Sequence, residues 1–75
     1  MSQNQFLVQE DLNHAVGKRV LLKLRSKNIQ FAGTLERFDQ HLNLYLSDAV
    51  ETINGHENVR PHVILRGDSI SMICY

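Results

Sequence analysis

Turn-forming residues divide the chain after Gly17 into five short segments of β-type sequence. In the first segment Val20, Leu22 and Leu24 alternate with other residues and share one face of a strand. Gly33, in the middle of the second segment, favours a sharp bend. The predicted strands cover residues 19–25, 29–39, 42–51, 59–65 and 69–74. Together they make a barrel of residues 19–74 within a single domain of residues 1–75. Five short strands at this spacing predict a small, strongly curved antiparallel barrel.

The residues between the predicted strands are typical of turns. Ser26-Lys27-Asn28 is a turn by composition, and Asn54-Gly55 is the strongest turn signal, opening a short loop over residues 54–58. The third strand is expected to be bent or bulged near Ser47-Asp48. Pro61 weakens the start of the fourth strand and indicates an exposed edge there.

A different pattern precedes the strands. Residues 1–5 are polar, and we predict that they are disordered. From Phe6 to Val16 the apolar residues follow a helical spacing, and acidic residues stand in the first turn, where the helix dipole favours them. Gly17 follows at once and is typical of a helix C-cap. We therefore predict one short helix over residues 6–16.

The small size of the chain predicts self-association. A 75-residue domain buries only about 60% of its unfolded surface, so its core is marginal without a disulfide, a metal or a partner. The single cysteine, Cys74, excludes an internal disulfide. No cysteine and histidine set has the spacing of a zinc site, so we expect no metal and no cofactor. Oligomerisation is the remaining source of stability.

The charge balance limits the kinds of partner. Eight basic and eight acidic residues give a net charge of zero, which argues against the wrapping of a duplex. It leaves room for a few unpaired bases bound by stacking. No stretch approaches the ~18 apolar residues of a membrane helix. The N-terminus lacks the apolar region of a signal peptide. We expect a cytoplasmic protein without membrane contact.

Two segments concentrate polar side chains that could bind a nucleobase. In Phe38-Asp39-Gln40-His41-Leu42-Asn43-Leu44-Tyr45-Leu46, the residues Asp39, His41 and Asn43 stand two apart, so a strand would project them from one face. Imidazole can stack on a base, and an amide offers a donor and an acceptor to a base edge. In the second segment, residues 64–70, Arg66 stands on a tight Gly67-Asp68 turn. Together the segments predict a nucleobase pocket.

These segments resemble the two motifs of the Sm and Sm-like (LSm) proteins. The run GKRVLLKLRSKNIQFAGTLERFDQHLNLYLSDA, residues 17–49, is similar to the first Sm motif, and ILRGDSI, residues 64–70, to the second. The single-chain archaeal type, with D-x-H-x-N and R-G-D both intact, is the most similar. The resemblance implies a mostly β fold, a short N-terminal helix followed by a five-stranded, strongly bent antiparallel Sm-type (SH3-like) barrel. Ser69 and Arg60-Pro61-His62 depart from many archaeal relatives.

The resemblance also implies a function and an assembly. The fourth strand of one subunit would pair with the fifth strand of the next and close a homo-oligomeric ring, with seven subunits favoured over six. The ring would bind single-stranded U-rich RNA at its pore, as a ribonucleoprotein in RNA processing. A base would lie between the His41 ring and the Arg66 guanidinium, and Asn43 would contact the edge of uracil.

The remaining polar residues of the two segments are assigned supporting roles. Asp39 and Asp68 are predicted to orient Asn43 and His41 or to bond the loop backbone. Gly67 is predicted to supply an unusual backbone angle and to let a base or ribose approach closely. We count all of them among the predicted RNA-binding residues.

Two other classes of function were weighed against RNA binding. Asp39 and His41 could be an orienting group and a general base, but no Ser or Cys nucleophile accompanies them, so we expect no catalysis. A protein-interaction barrel without nucleic-acid binding is the alternative. Grooves of that kind are lined with clustered aromatics, usually including Trp, which this chain lacks. Tyr45 is expected on the ring face or at the seam between subunits.

Overall fold

The computed structural model describes residues 12–26 and 28–74, which form one strongly bent antiparallel sheet. In chain order the strands are β1 (Arg19–Leu24), β2 (Ile29–Phe38), β3 (Leu44–Ile53), β4 (His56–Leu65) and β5 (Ile70–Cys74). A 3₁₀ turn, Gly67–Ser69, links β4 to β5. The sheet order is β4-β3-β2-β1-β5, so β4 and β5 form the two edges of the described sheet. The prediction of five strands in a curved antiparallel sheet is confirmed.

The core lies on one face of this sheet and draws on every strand. Alternate residues of β1 and β3 point into it because successive side chains of a strand face opposite sides. Leu12 and Ala15, which precede β1, are also buried there. The core residues are Leu12, Ala15, Val20, Leu22, Phe31, Leu35, Leu44, Leu46, Ala49, Leu65, Ile70 and Ile73.

The bend in the sheet centres on Gly33, where the sequence predicts it. The β2–β3 register shifts between Ala32 and Thr34 and again between Leu35 and Arg37. A Cβ atom at Gly33 would lie 3.1 Å from the Cβ of Ala49 on β3. The absence of a side chain at Gly33 therefore lets β3 pack closely against β2 at the bend.

The predicted helix over residues 6–16 falls largely outside the described residues, as does the predicted disorder of residues 1–5. Within the described part, Leu12 and Asn13 are helical and a turn follows, but no helix is complete. The amide of Ala15 donates to the carbonyl of Leu12 at 2.9 Å. The amide of Gly17, with a φ of 88°, already donates to Leu35 of β2 at 2.7 Å. The chain has therefore joined the sheet at the glycine predicted to end the helix.

The β3–β4 connection is shorter than predicted. Asn54 and Gly55 have φ values of 51° and 84°, the left-handed pair that a two-residue hairpin turn requires. Because such a turn needs no further residues, β3 continues to Ile53 and β4 already begins at His56. The predicted loop over residues 54–58 and the predicted strand start at Val59 are therefore wrong.

The β4 edge carries the irregularity expected from its proline. Pro61 lies inside β4 and has no N–H to donate, and the strand is exposed from His56 to His62. Opposite Pro61, Asp48 of β3 has a φ of 48° and no ladder partner. Its carbonyl accepts a hydrogen bond from Arg19 Nη1 at 2.8 Å. The predicted distortion near Ser47-Asp48 and the predicted exposed edge are both confirmed.

Candidate functional site

The loop between β2 and β3 is organised by the carboxylate of Asp39. Its Oδ1 accepts hydrogen bonds from the backbone amides of His41 at 2.9 Å and Asn43 at 3.0 Å. Its Oδ2 accepts a third from the side-chain Nδ2 of Asn43, also at 3.0 Å. The predicted supporting role of Asp39, orienting Asn43 and bonding the loop backbone, describes this geometry correctly. One side chain thus sets the positions of both His41 and Asn43.

These hydrogen bonds favour the ionised form of Asp39. The backbone amide of Asn43 makes the largest contribution to lowering the pKa of Asp39, followed by the Asn43 side chain and the His41 amide, against an opposing effect of desolvation. The electrostatic contribution of His41 also lowers the pKa of Asp39. The carboxylate is therefore a negatively charged acceptor at neutral pH.

His41 and Asn43 stand on a loop rather than on a strand. The sequence predicts a strand from Leu42, but β3 begins at Leu44, and Leu42 has a φ of 63°. The amide of Leu42 closes a turn on the carbonyl of Asp39 at 2.9 Å. The two-residue spacing of the polar side chains therefore reflects the Asp39-centred turn, and the strand alternation predicted for them is wrong.

A hydrogen bond beyond the β3–β4 ladder joins the two polar loops. The amide of Gly67, at the start of the 3₁₀ turn, donates to Oδ1 of Asn43 at 3.0 Å. Asn43 is half-buried, and its amide bridges Asp39 on one side and Gly67 on the other. Residues 24 positions apart are thereby held at one site.

Gly67 has a different role from the predicted one. Its φ lies outside the left-handed region, so no unusual backbone angle is involved. Instead, a Cβ atom at this position would meet the carbonyl oxygens of His41 at 2.5 Å and Leu42 at 2.7 Å. The glycine is needed because the two loops touch backbone to backbone. The space that it saves is filled by the other loop.

Arg66 and Asp68 project from the 3₁₀ turn into solvent. The Nε of Arg66 lies 3.5 Å from Oδ1 of Asp68, and both side chains are exposed. The Asp68 carboxylate is also within 3.5 Å of the Ser69 hydroxyl. The carboxylate therefore contacts neighbours on its own loop, Arg66 and Ser69, and the prediction that Asp68 orients His41 or Asn43 finds no support in this geometry. The exposed ion pair leaves the Arg66 guanidinium accessible.

Arg25, at the end of β1, supports this turn and was missed by the sequence analysis. Its Nε donates to the carbonyl of Asp68 at 2.7 Å, and its backbone amide donates to that of Ser69 at 2.8 Å. The contact spans 43 residues of sequence. No local pattern could have revealed it, because it depends on the pairing of β1 with β5.

The two loops line an open pocket of about 500 Å³. Its lining residues are His41, Asn43, Ile64, Arg66 and Asp68. The predicted base-stacking and edge-contacting side chains therefore share one cavity, and Asp39 and Gly67 both hydrogen-bond to Asn43 in its lining. Ile64 supplies an apolar wall to the pocket, a role that the sequence analysis did not predict. In the sequence, the position of Ile64 directly before Leu65 and Arg66 was the signal that could have predicted this role.

Other predicted absences concern metals and membranes. Within residues 12–26 and 28–74, no group of three or more His, Cys, Asp or Glu side chains could hold a metal ion. The same described segments contain no helix long and apolar enough to cross a bilayer.

The bent five-stranded sheet and its two-loop pocket define the chain's class. Residues 10–75 match the family model of the LSM domain, and the chain belongs to this family. The chain is similar to a putative snRNP Sm-like protein of Archaeoglobus fulgidus, 39% identical over 64 residues, which cover 83% of this chain and 80% of that protein. The resemblance to Sm-like proteins of the archaeal type is thus confirmed.

Solved structures agree with this assignment. A heptameric archaeal Sm protein is 41% identical and superposes with a TM-score of 0.76, covering 85% of this chain and 93% of the other. The Pyrococcus abyssi Sm protein in complex with a uridine heptamer is 31% identical with a TM-score of 0.77, covering 85% and 90%.

Proposed function

We propose that this protein forms a homo-oligomeric ring and binds single-stranded U-rich RNA at its pore, in RNA processing. The observation that carries the proposal is the hydrogen bond from Gly67 to Asn43, which joins the two polar loops into one pocket. Similarity to a heptameric Sm protein and to one bound to a uridine heptamer supports it. Seven subunits are favoured over six.

The pocket offers two stacking groups and one edge-contacting group. His41 and Arg66 are exposed and line the same cavity, so a base can lie between the imidazole and the guanidinium. Asn43 already uses one Nδ2 hydrogen and one Oδ1 lone pair, yet an amide has a second of each. The remaining donor and acceptor match the O4 and N3–H of uracil.

The exposed edges of the sheet support self-association. Every residue of β4 from His56 to His62 is exposed, and β4 and β5 have no neighbour on their outer sides in the described sheet. Val59 on β4 is 76% exposed, and Met72 on β5 is 37% exposed. Unpaired apolar edges of this kind favour strand addition, and a second copy offers the complementary edge.

Binding of labelled oligo-U, oligo-C and oligo-A by fluorescence anisotropy tests this function. His41→Ala and Arg66→Ala should each weaken oligo-U binding by about 1–3 kcal/mol per occupied site, because each removes a stacking surface. Asn43→Ala should reduce the preference for U over C. Lys18→Gln, which removes an exposed positive charge outside the pocket, is the matched control and should bind normally.

Native mass spectrometry of each variant accompanies these measurements and reports ring size. Binding should depend only weakly on salt, because a chain of zero net charge neutralises few phosphates. If the combined His41, Asn43 and Arg66 variant remains a ring and binds oligo-U as tightly as the parent, the proposed pocket is wrong.

A further inference from the structure

A second cavity adjoins the base pocket on the outer face of the sheet. It has a volume of about 590 Å³, and its lining includes Arg37, Tyr45, His62 and Ile64. Ile64 also lines the base pocket, so the two cavities meet at this exposed side chain. Together they make one continuous surface that begins at the two loops and extends onto β2, β3 and β4.

Arg37 and Tyr45 form a stacked pair within the second cavity. They are direct partners in the β2–β3 ladder, and Tyr45 is the partner of Ile64 in the β3–β4 ladder. The three residues therefore form one row across three strands. The Cζ atom of Arg37 lies 3.9 Å from the centre of the Tyr45 ring, which is close contact for a cation over an aromatic face.

We propose that the Arg37–Tyr45 pair binds a second nucleotide of the same RNA strand, next to the one in the base pocket. This inference rests on the proposed function. Tyr45 is two residues beyond Asn43, a distance of roughly 6–7 Å along an extended chain. A flexible single strand that leaves the base pocket over Ile64 reaches the pair within one nucleotide step.

The chemistry of the pair suits a base and its phosphate. A guanidinium held flat on an aromatic ring presents a planar surface on which a base stacks, and its N–H groups can also bind a phosphate oxygen. The neighbouring carboxylate of Glu36 accepts a hydrogen bond from the Ser47 hydroxyl. Stacking depends little on base identity, so this subsite adds affinity and leaves the choice of uridine to Asn43.

Comparing a mononucleotide with an oligonucleotide isolates the second subsite. Tyr45→Leu keeps an apolar side chain but removes the aromatic face. It should weaken binding of a uridine hexanucleotide by about tenfold, within the range expected for loss of one stacked base. Binding of uridine monophosphate, which fills the base pocket alone, should not change. Tyr45→Phe should retain hexanucleotide binding. Arg37→Gln should weaken it as Tyr45→Leu does, and Lys18→Gln is the control for the loss of a positive charge.

Tyrosine fluorescence gives a readout that a merely structural role would not change. The chain contains two tyrosines and no tryptophan, so in a Tyr75→Phe background all tyrosine emission comes from Tyr45. Stacking of a base on the Arg37–Tyr45 pair should quench this emission as the hexanucleotide saturates the protein. Uridine monophosphate should leave it unchanged.

The outcomes separate this inference from the proposed function. If His41→Ala weakens both ligands while Tyr45→Leu weakens neither and emission is constant, the base pocket stands and the second subsite is overturned. If His41→Ala and Arg66→Ala affect neither ligand, the proposed function itself fails. If Tyr45→Leu dissolves the ring in native mass spectrometry while Tyr45→Phe keeps it, a second copy of the chain occupies the cavity, which also overturns the inference.

Discussion

At the scale of single residues, Asp39 controls the geometry of the loop that carries His41 and Asn43. Its carboxylate accepts three hydrogen bonds, all within five residues of sequence. These hydrogen bonds stabilise the fold most when the carboxylate is ionised, because a protonated carboxyl group is a weaker acceptor. The pKa of Asp39 is lowered because these hydrogen bonds stabilise the ionised carboxylate in the folded protein.

The first prediction concerns the pH dependence of stability. Because the pKa of Asp39 is lower in the folded protein, its stabilisation is present above its unfolded pKa of about 3.9 and is lost as pH falls through the folded value. Asp39→Asn should therefore be less stable than the parent at neutral pH, and the two should converge in acid. Urea unfolding from about pH 7 to about pH 3 measures the difference.

Glu57→Gln is the control for this prediction, since Glu57 is an exposed carboxylate on β4 outside the loop. Its difference from the parent should show no comparable convergence. A gap between Asp39→Asn and the parent that stays constant over the whole pH range would contradict the assignment.

The second prediction concerns the contact at Gly67. In Gly67→Ala the new Cβ meets two backbone oxygens, which cannot rotate away as a flexible side chain would. The loops must separate, at a cost of about 1–3 kcal/mol typical of overpacking, and RNA affinity should fall with stability. Gly55→Ala, whose Cβ meets nothing within 4 Å, introduces strain without a clash and should leave RNA binding intact. Equal RNA affinity in the parent and Gly67→Ala would argue against the contact.

At the scale of elements, the β3–β4 hairpin contains an irregular residue, Asp48, that a hydrogen bond from β1 stabilises. The left-handed Asp48 stands opposite Pro61, and Arg19 of β1 donates to its carbonyl. We predict that Asp48→Val, which adds a β-branched side chain at a φ of 48°, destabilises the protein by about 1–2 kcal/mol. Asp48→Asn should be neutral, because asparagine tolerates this conformation. Thermal unfolding of both variants tests the prediction, and equal melting temperatures would refute it.

The elements also show which features a sequence can reveal. The five strands, the bend at Gly33 and the distortion beside Pro61 follow from local residue preferences. They were predicted correctly, although β4 begins earlier than expected. The loop of His41 and Asn43 was taken for a strand because an aspartate-centred turn and a strand can share the same two-residue spacing. The difference lies in hydrogen bonds to Asp39 and in the positive φ of Leu42, which the pattern of residue types does not encode.

At the scale of the whole molecule, the predicted ring depends on apolar side chains at the sheet edges. Ile70 and Met72 both lie on β5 but are suited to different tests of the ring. Ile70 is 3% exposed and belongs to the core, so Ile70→Asp should unfold the subunit, because a buried unpaired charge costs several kcal/mol. Met72 on the β5 edge is 37% exposed and is the better probe of the seam.

We predict that Val59→Asp on β4 and Met72→Asp on β5 dissociate the ring and leave a folded subunit. Val59 is 76% exposed in the single chain, so a charge there is harmless until another subunit covers it. Native mass spectrometry with circular dichroism tests this prediction. Glu57→Gln provides a conservative control on the same strand. Rings that survive both aspartates would place the seam elsewhere.

The residues that line the pocket could be predicted only in part from the sequence. His41, Asn43 and Arg66 belong to two recognisable segments, and the structure places them in one cavity. Arg25 and the second cavity around Tyr45 depend on strand pairing across distant parts of the chain. Long-range pairing determines which side chains become neighbours, so these features became visible only in the folded molecule.

The tight turn at Asn54 and Gly55 has a practical consequence. Gly55 has no neighbouring atom within 4 Å of where a Cβ would stand, and neither residue of the turn lines the proposed base pocket or the Arg37–Tyr45 cavity. Exposed loop tips of this kind tolerate inserted sequence. A peptide epitope placed between these two residues would be displayed once per subunit, and a closed ring would present it as a multivalent array.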